Sequence, residues 1–132
     1  VEEEFMPKKS VLLVDDDDVF LEAVSAILEP AFEVRTAANG REALAAIARA
    51  LPDVVVLDVM MDHLSEGFDV ARELKSSPRT CHIPVVMLTG VDQVYDCRME
   101  IEETFVPHDR FLEKPVDPDK LLQILKEVAG AG

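Results

Sequence analysis

The sequence predicts an α/β domain with a doubly wound, parallel, five-stranded sheet, and three observations carry that expectation. Val11-Leu12-Leu13-Val14, Val54-Val55-Val56-Leu57 and Pro84-Val85-Val86-Met87-Leu88 are short apolar runs without a polar face. Runs of this kind mark strands buried on both sides, the usual state of a parallel sheet. Between them lie stretches of helical period, long enough for right-handed crossovers. Finally, each run stops at a polar side chain: Asp15, Asp58 or Thr89.

Taken in order, residues 1–9 are acidic at first and carry no period, so they are expected to form a mobile N-terminal tail, with the domain spanning 10–130. After the first strand, Phe20, Val24, Ile27 and Leu28 fall at helical spacing. Asp17 or Asp18 can cap that helix, and Pro30 stops it. Phe32-Glu33-Val34-Arg35-Thr36 alternates as a half-buried or edge strand does. Asn39-Gly40 is turn chemistry, and Ala43, Leu44, Ile47 and Leu51 form a helical stripe before Pro52. The third strand delivers Asp58. A polar loop then leads to a helix with Phe68, Ala71 and Leu74 on one side, ended by Ser76-Ser77-Pro78. The fourth strand ends at Thr89. Val94, Cys97 and Ile101 predict an acidic fourth helix. Arg110-Phe111-Leu112 is a short fifth strand before Glu113-Lys114-Pro115. Asp117-Pro118 pairs a capping residue with proline at the first helical position. Leu121, Leu122, Leu125 and Val128 carry the last helix. Five strand–helix units fit the flavodoxin-like (βα)5 order 2-1-3-4-5, whose topological switch point lies between strands 1 and 3.

The composition bounds the function. With 132 residues the chain makes one domain, and 48% hydrophobic and 30% charged residues describe a globular protein. A net charge of −14 argues against nucleic-acid binding through a basic face. No apolar run approaches the length of a membrane span, and no signal peptide is evident. Cys81 and Cys97 form no metal-type spacing, which favours a reducing cytoplasm.

Periodicity places Asp15, Asp16, Asp58, Thr89 and Lys114 on the same edge of the sheet. Two carboxylates about 5 Å apart repel by roughly 3 kcal/mol at an effective dielectric near 20, so a cation is expected among them. An oxygen-only donor set favours Mg2+, or Mn2+, over zinc. Lys114 supplies a second point charge and Thr89 a hydroxyl, which together describe a phosphoryl site with an aspartate nucleophile. A calcium-binding EF-hand loop starting at Asp15 would need glycine at position 20 and glutamate at 26, where Phe20 and Ala26 stand. Neither a GxGxxG nor a Walker sequence occurs. His63, His82 and His108 are scattered on loops and read as surface residues rather than phosphodonors.

The chain resembles the response-regulator receiver domains of two-component signalling, of the chemotaxis-regulator type, over about residues 10–130. The resemblance is carried by Val11-Leu12-Leu13-Val14-Asp15-Asp16, Leu57-Asp58-Val59-Met60-Met61, Met87-Leu88-Thr89-Gly90 and Phe111-Leu112-Glu113-Lys114-Pro115. It implies Asp58 as phosphoacceptor and Asp16 as direct Mg2+ ligand, with Asp15 acting through water and the Met60 backbone carbonyl completing the protein ligands. It also implies that Thr89 moves onto a phosphoryl oxygen and that Lys114 pairs with Asp58 or its phosphate. Lys114-Pro115 corresponds to the family's cis peptide bond, and Phe111 to its switch aromatic. The implied donor is a sensor histidine kinase or histidine phosphotransfer protein. The implied output is a shifted equilibrium in the face made by the fourth helix, fifth strand and last helix, read by an output protein or by a second copy in a homodimer. Such a domain is a signalling phosphoacceptor rather than an enzyme, and this one is expected to stand alone, without direct contact to nucleic acid or membrane.

Two alternatives stand beside that expectation. One is a phosphorylation-independent interaction module with a degenerate pocket, against which the intact Asp15, Asp16, Asp58, Thr89 and Lys114 set argues. The other is an aspartyl phosphohydrolase, which would need an acid–base aspartate at position 60, where Met60 stands. The chain also departs from the family pattern. Asp62 replaces the usual proline after the acceptor, the loop to Gly67 is slightly longer, Gly90 stands for alanine, and Pro107-His108 stands where Gly-Ala is usual. Met60 and Val91 occupy positions that tune phosphoryl lifetime in the family. Both are apolar and offer nothing to orient an attacking water, which implies slow autodephosphorylation.

Overall fold

A strand with four apolar side chains in succession has no face to give to water, so it must lie inside a sheet covered on both sides. Val54–Asp58 (β3) does so, with all five residues buried. The structure is a computed structural model. It describes residues 8–58, 66–89, 110–113 and 117–129, with the backbone alone at 66–68, 89 and 110–113. Around β3 the chain runs β1 (Lys9–Val14), α1 (Asp18–Leu28), β2 (Phe32–Ala37), α2 (Gly40–Arg49), then after β3 α3 (Glu66–Ser76), β4 (Val85–Thr89), β5 (Arg110–Glu113) and α4 (Pro118–Val128). The sheet order is β2-β1-β3-β4-β5 and every pairing is parallel, as the sequence predicts.

The pleat sends alternate residues of each strand to opposite layers. Leu12, Val14, Val55, Leu57, Val85 and Met87 meet α2 and α3. Val11, Leu13, Val54, Val56, Val86 and Leu88 meet α1 and α4. The sheet is therefore a barrier between two cores, and its strand ends are where polar side chains can surface.

Several elements differ in detail from expectation. β1 begins at Lys9, paired with Phe32, and the Lys8 ammonium donates to the Glu29 carbonyl at 2.9 Å. Of the segment expected as a tail over 1–9, Lys9 therefore belongs to the sheet and Lys8 is tied by its side chain, while residues 1–7 lie outside the described ones. In α1 the fully buried stripe is Leu21, Val24 and Leu28, while Phe20 and Ile27 are only half-buried. Asn39-Gly40 forms no isolated turn. Asn39 is the N-cap of α2 and accepts from the Glu42 amide at 2.9 Å, while the Glu42 carboxylate accepts from the Ala38 amide at 3.0 Å. Asparagine serves turns and caps by the same short side chain, and the glutamate three residues on decides for the cap. Asn39→Ala is expected to cost about 1 kcal/mol, read as a lower urea midpoint at unchanged slope. α2 ends at Arg49, ahead of Pro52, and leaves Leu51 40% exposed beyond it. The expected helix around 94–101 lies outside the described residues. Among the described residues no helix is long and apolar enough to cross a membrane.

Candidate functional site

β1 and β3 are neighbours with Val14 opposite Leu57, so continuing that register by one residue brings Asp15 level with Asp58. The Asp15 amide donates to the Ala37 carbonyl at 3.1 Å, extending the β1–β2 ladder and fixing the residue at the sheet's carboxyl edge. Asp15 and Asp58 are almost wholly buried, 1% and 3% exposed, while Asp16 in the following turn is exposed. One carboxylate oxygen from each of the three can be chosen so that all lie within 4.8 Å of one another.

The turn after Asp15 is built from carboxylates serving the backbone. Asp15 Oδ1 accepts from the Asp17 amide at 2.9 Å, and Asp17 Oδ1 accepts from the Val19 and Phe20 amides at 3.0 and 3.2 Å. Asp17 is thereby the N-cap of α1, with Asp18 in its first turn, where negative charge complements the helix dipole. Sequence reasoning left Asp17 and Asp18 open as caps and missed the backbone bond to Asp15. The signal was present as two successive Asp-to-i+2 steps, 15 to 17 and 17 to 19, each matching the Asx-turn habit of aspartate.

Thr89 ends β4, and its Cα partner on β5 is Glu113. Since Asp58 is paired with Leu88, the Thr89 backbone stands one residue further along the neighbouring strand, at the same edge. Phe111 lies in β5 with Met87 as its partner. Lys114, the Lys114-Pro115 bond and Met60 fall outside the described residues, as do Asp62, Gly90 and Val91. Among the remaining sequence candidates, Cys81 is a free, exposed thiol, and His82 is exposed.

Three oxygen donors so close, two of them withdrawn from water, repel one another unless a positive charge is shared among them. Their hardness, and the lack of a nitrogen or sulfur donor among them, fits a hard divalent cation. A groove of about 220 Å³ of mixed lining also exists, with Leu44, Ile47, Leu51 and Leu74 beside Glu73 and Arg79. It lies at the C-terminal ends of α2 and α3, so it opens at the opposite edge from the carboxylates.

The family model described as "Response regulator receiver domain" matches residues 11–126. The chain belongs to the response-regulator receiver family. As a receiver domain it is 43% identical over 108 residues to the response regulator PleD of Caulobacter vibrioides, an alignment covering 81% of this chain and 23% of PleD. Among solved structures it is similar to a putative response regulator from Chloroflexus aurantiacus, with a TM-score of 0.81 and 31% identity over 93% of this chain and 98% of the other. It is similar also to the chemotaxis protein CheY4 of Vibrio cholerae, with a TM-score of 0.79 and 34% identity over 92% and 98% of the two chains. The receiver thus spans less than a quarter of PleD but nearly the whole of the CheY4 chain.

Proposed function

We propose that this receiver accepts a phosphoryl group on Asp58 in a Mg2+-dependent reaction and passes the change to an output partner. The observation that carries the reading is the three-carboxylate cluster at the sheet's switch point, in a chain of this family. Asp58 is the acceptor because it sits at the end of the central strand, where the sheet fixes its backbone most firmly. Asp15, Asp16 and Asp58 would hold the cation, with the Met60 backbone carbonyl as a further protein ligand. When bound, Mg2+ supplies charge to offset the equatorial phosphoryl oxygens. Mn2+ meets the same oxygen donor set.

In the transfer, an Asp58 carboxylate oxygen attacks phosphorus of a donor phosphohistidine. A P–O bond forms, the P–N bond breaks, and its electron pair stays on the imidazole nitrogen, which takes a proton. Thr89 and Lys114 bind the new phosphoryl oxygens, and Phe111 reports the change by packing, since it lacks a hydroxyl. The donor class is a sensor histidine kinase or a histidine phosphotransfer protein. The output surface is the face formed by the segment 91–108, β5 and α4, offered to a partner protein or to a second copy of the chain.

Incubation with a small phosphodonor and Mg2+, with intact mass and donor consumption followed together, tests this reading. A gain of one phosphoryl mass that requires Mg2+ is expected. No gain would favour an interaction module that works without phosphorylation, and donor turnover without an adduct would favour a hydrolase. The adduct is expected to decay slowly for the family, and Met60→Asn or Val91→Glu to speed its decay. Fast decay in the wild type that neither change alters would contradict that expectation.

A further inference from the structure

The four consecutive aspartates divide their work, and the third has a role that neither ligation nor acceptance describes. Asp17 Oδ1 holds the Val19 and Phe20 amides, and the Asp17 amide in turn holds Asp15 Oδ1. The helix start, the Asp17 backbone and the Asp15 carboxylate are therefore links of one chain of hydrogen bonds. We propose that Asp17 is a positioning residue for the cation pocket: by capping α1 it fixes the amide that orients the Asp15 carboxylate.

The physical case is that of an outer-shell partner. A carboxylate that must share a cation within a 4.8 Å cluster gains from having its plane set before the cation arrives, since less ordering is left to the binding step. The Asp17 amide can set that plane only if its own residue is held, and the two bonds from the helix start hold it. Asp18, on the first turn, carries the same charge but is not the cap. The pair thus separates geometry from electrostatics: loss of either removes one negative charge near the pocket, while loss of Asp17 alone releases the turn. The inference rests on the reading of the cluster as a Mg2+ site.

Mg2+ titration of the full chain by calorimetry, beside thermal unfolding without metal, tests it. Asp17→Ala is expected to weaken Mg2+ binding about tenfold, the lower end for lost outer-shell partners. Asp17→Asn, whose side-chain oxygen caps equally well, is expected to stay within about twofold of wild type, and so is Asp18→Ala. Should Asp17→Ala fail to fold, Asp17→Gly takes its place, since glycine at a cap costs the helix only a few tenths of a kcal/mol. Equal weakening by Asp17→Asn and Asp17→Ala would mean that charge alone matters and would overturn the proposal. A lower unfolding temperature with unchanged Mg2+ affinity would make Asp17 purely structural, and would overturn it too. Absence of Mg2+ binding by the wild type would overturn the site reading itself, and this inference with it.

Discussion

Leu57→Ala is expected to destabilise the domain by about 3 kcal/mol, within the range of buried leucine truncations. Leu57 is fully buried and belongs to the core under α2 and α3, with Leu12, Val14, Val55 and Met87 among its cluster. Removing its terminal carbons forfeits their transfer free energy and leaves a space that a central strand, bonded on both sides, cannot close. For a domain of this size the loss corresponds to a fall of very roughly 10 °C in the unfolding midpoint. Urea and thermal unfolding in metal-free buffer measure it. Below its own midpoint the variant should still accept a phosphoryl group, because ladder register rather than the Leu57 side chain sets the position of Asp58. A loss under about 1 kcal/mol would contradict the packing described for β3.

Asp15→Asn is expected to act in the opposite direction on the metal-free protein, raising its stability by about 1–3 kcal/mol. Asp15 is 1% exposed and its carboxylate belongs to the 4.8 Å cluster. A unit charge at that range is repelled by roughly 3 kcal/mol by each like neighbour at an effective dielectric near 20, and the net gain is smaller because solvent screens the exposed Asp16 and the cluster's other partners offset part of the repulsion. Asparagine keeps an oxygen for the Asp17 amide and removes the charge. The same change should weaken Mg2+ binding, so the two proteins respond differently to the ion. Wild type gains about 2.7 kcal/mol at a Mg2+ concentration a hundredfold above its dissociation constant, and the variant gains much less at that concentration. Unfolding curves with and without Mg2+ read both effects. A variant that is less stable without metal and equally stabilised by it would contradict the account of the cluster.

These two residues also show what was legible in the sequence. Four apolar residues ending in Asp58 announce a doubly covered strand, because the run is too short for a buried helix and Pro52 precedes it. The order of apolar runs and helical stripes then leaves few parallel topologies, and the observed order β2-β1-β3-β4-β5 is the expected one. Asp15 and Asp58 come together because register alone decides it. Side-chain bonding within turns was harder to read. Asp17 and Asp18 have the same chemistry, and only the backbone path after β1 selects Asp17 as the cap. Asn39 likewise suits a turn or a cap, and Glu42 settles the matter. Helix faces were blurred where apolar residues outnumber the places available to them. Phe20 and Leu44 sit beside the buried stripes rather than in them. The strand starts one residue inside the expected tail because charged Lys9 looks like solvent-loving chain, although strand pairing uses its backbone and not its side chain.

The assignment of the acceptor is most directly tested by trapping it. An aspartyl phosphate is an acyl phosphate, and borohydride reduces it to an alcohol, converting the residue to homoserine. After treatment with a small phosphodonor and Mg2+, reduction and peptide mapping should find homoserine at position 58 alone, and none when Mg2+ is chelated. Homoserine at position 15 or 16, or its formation without a divalent cation, would contradict the central claim that Asp58 is the metal-dependent acceptor.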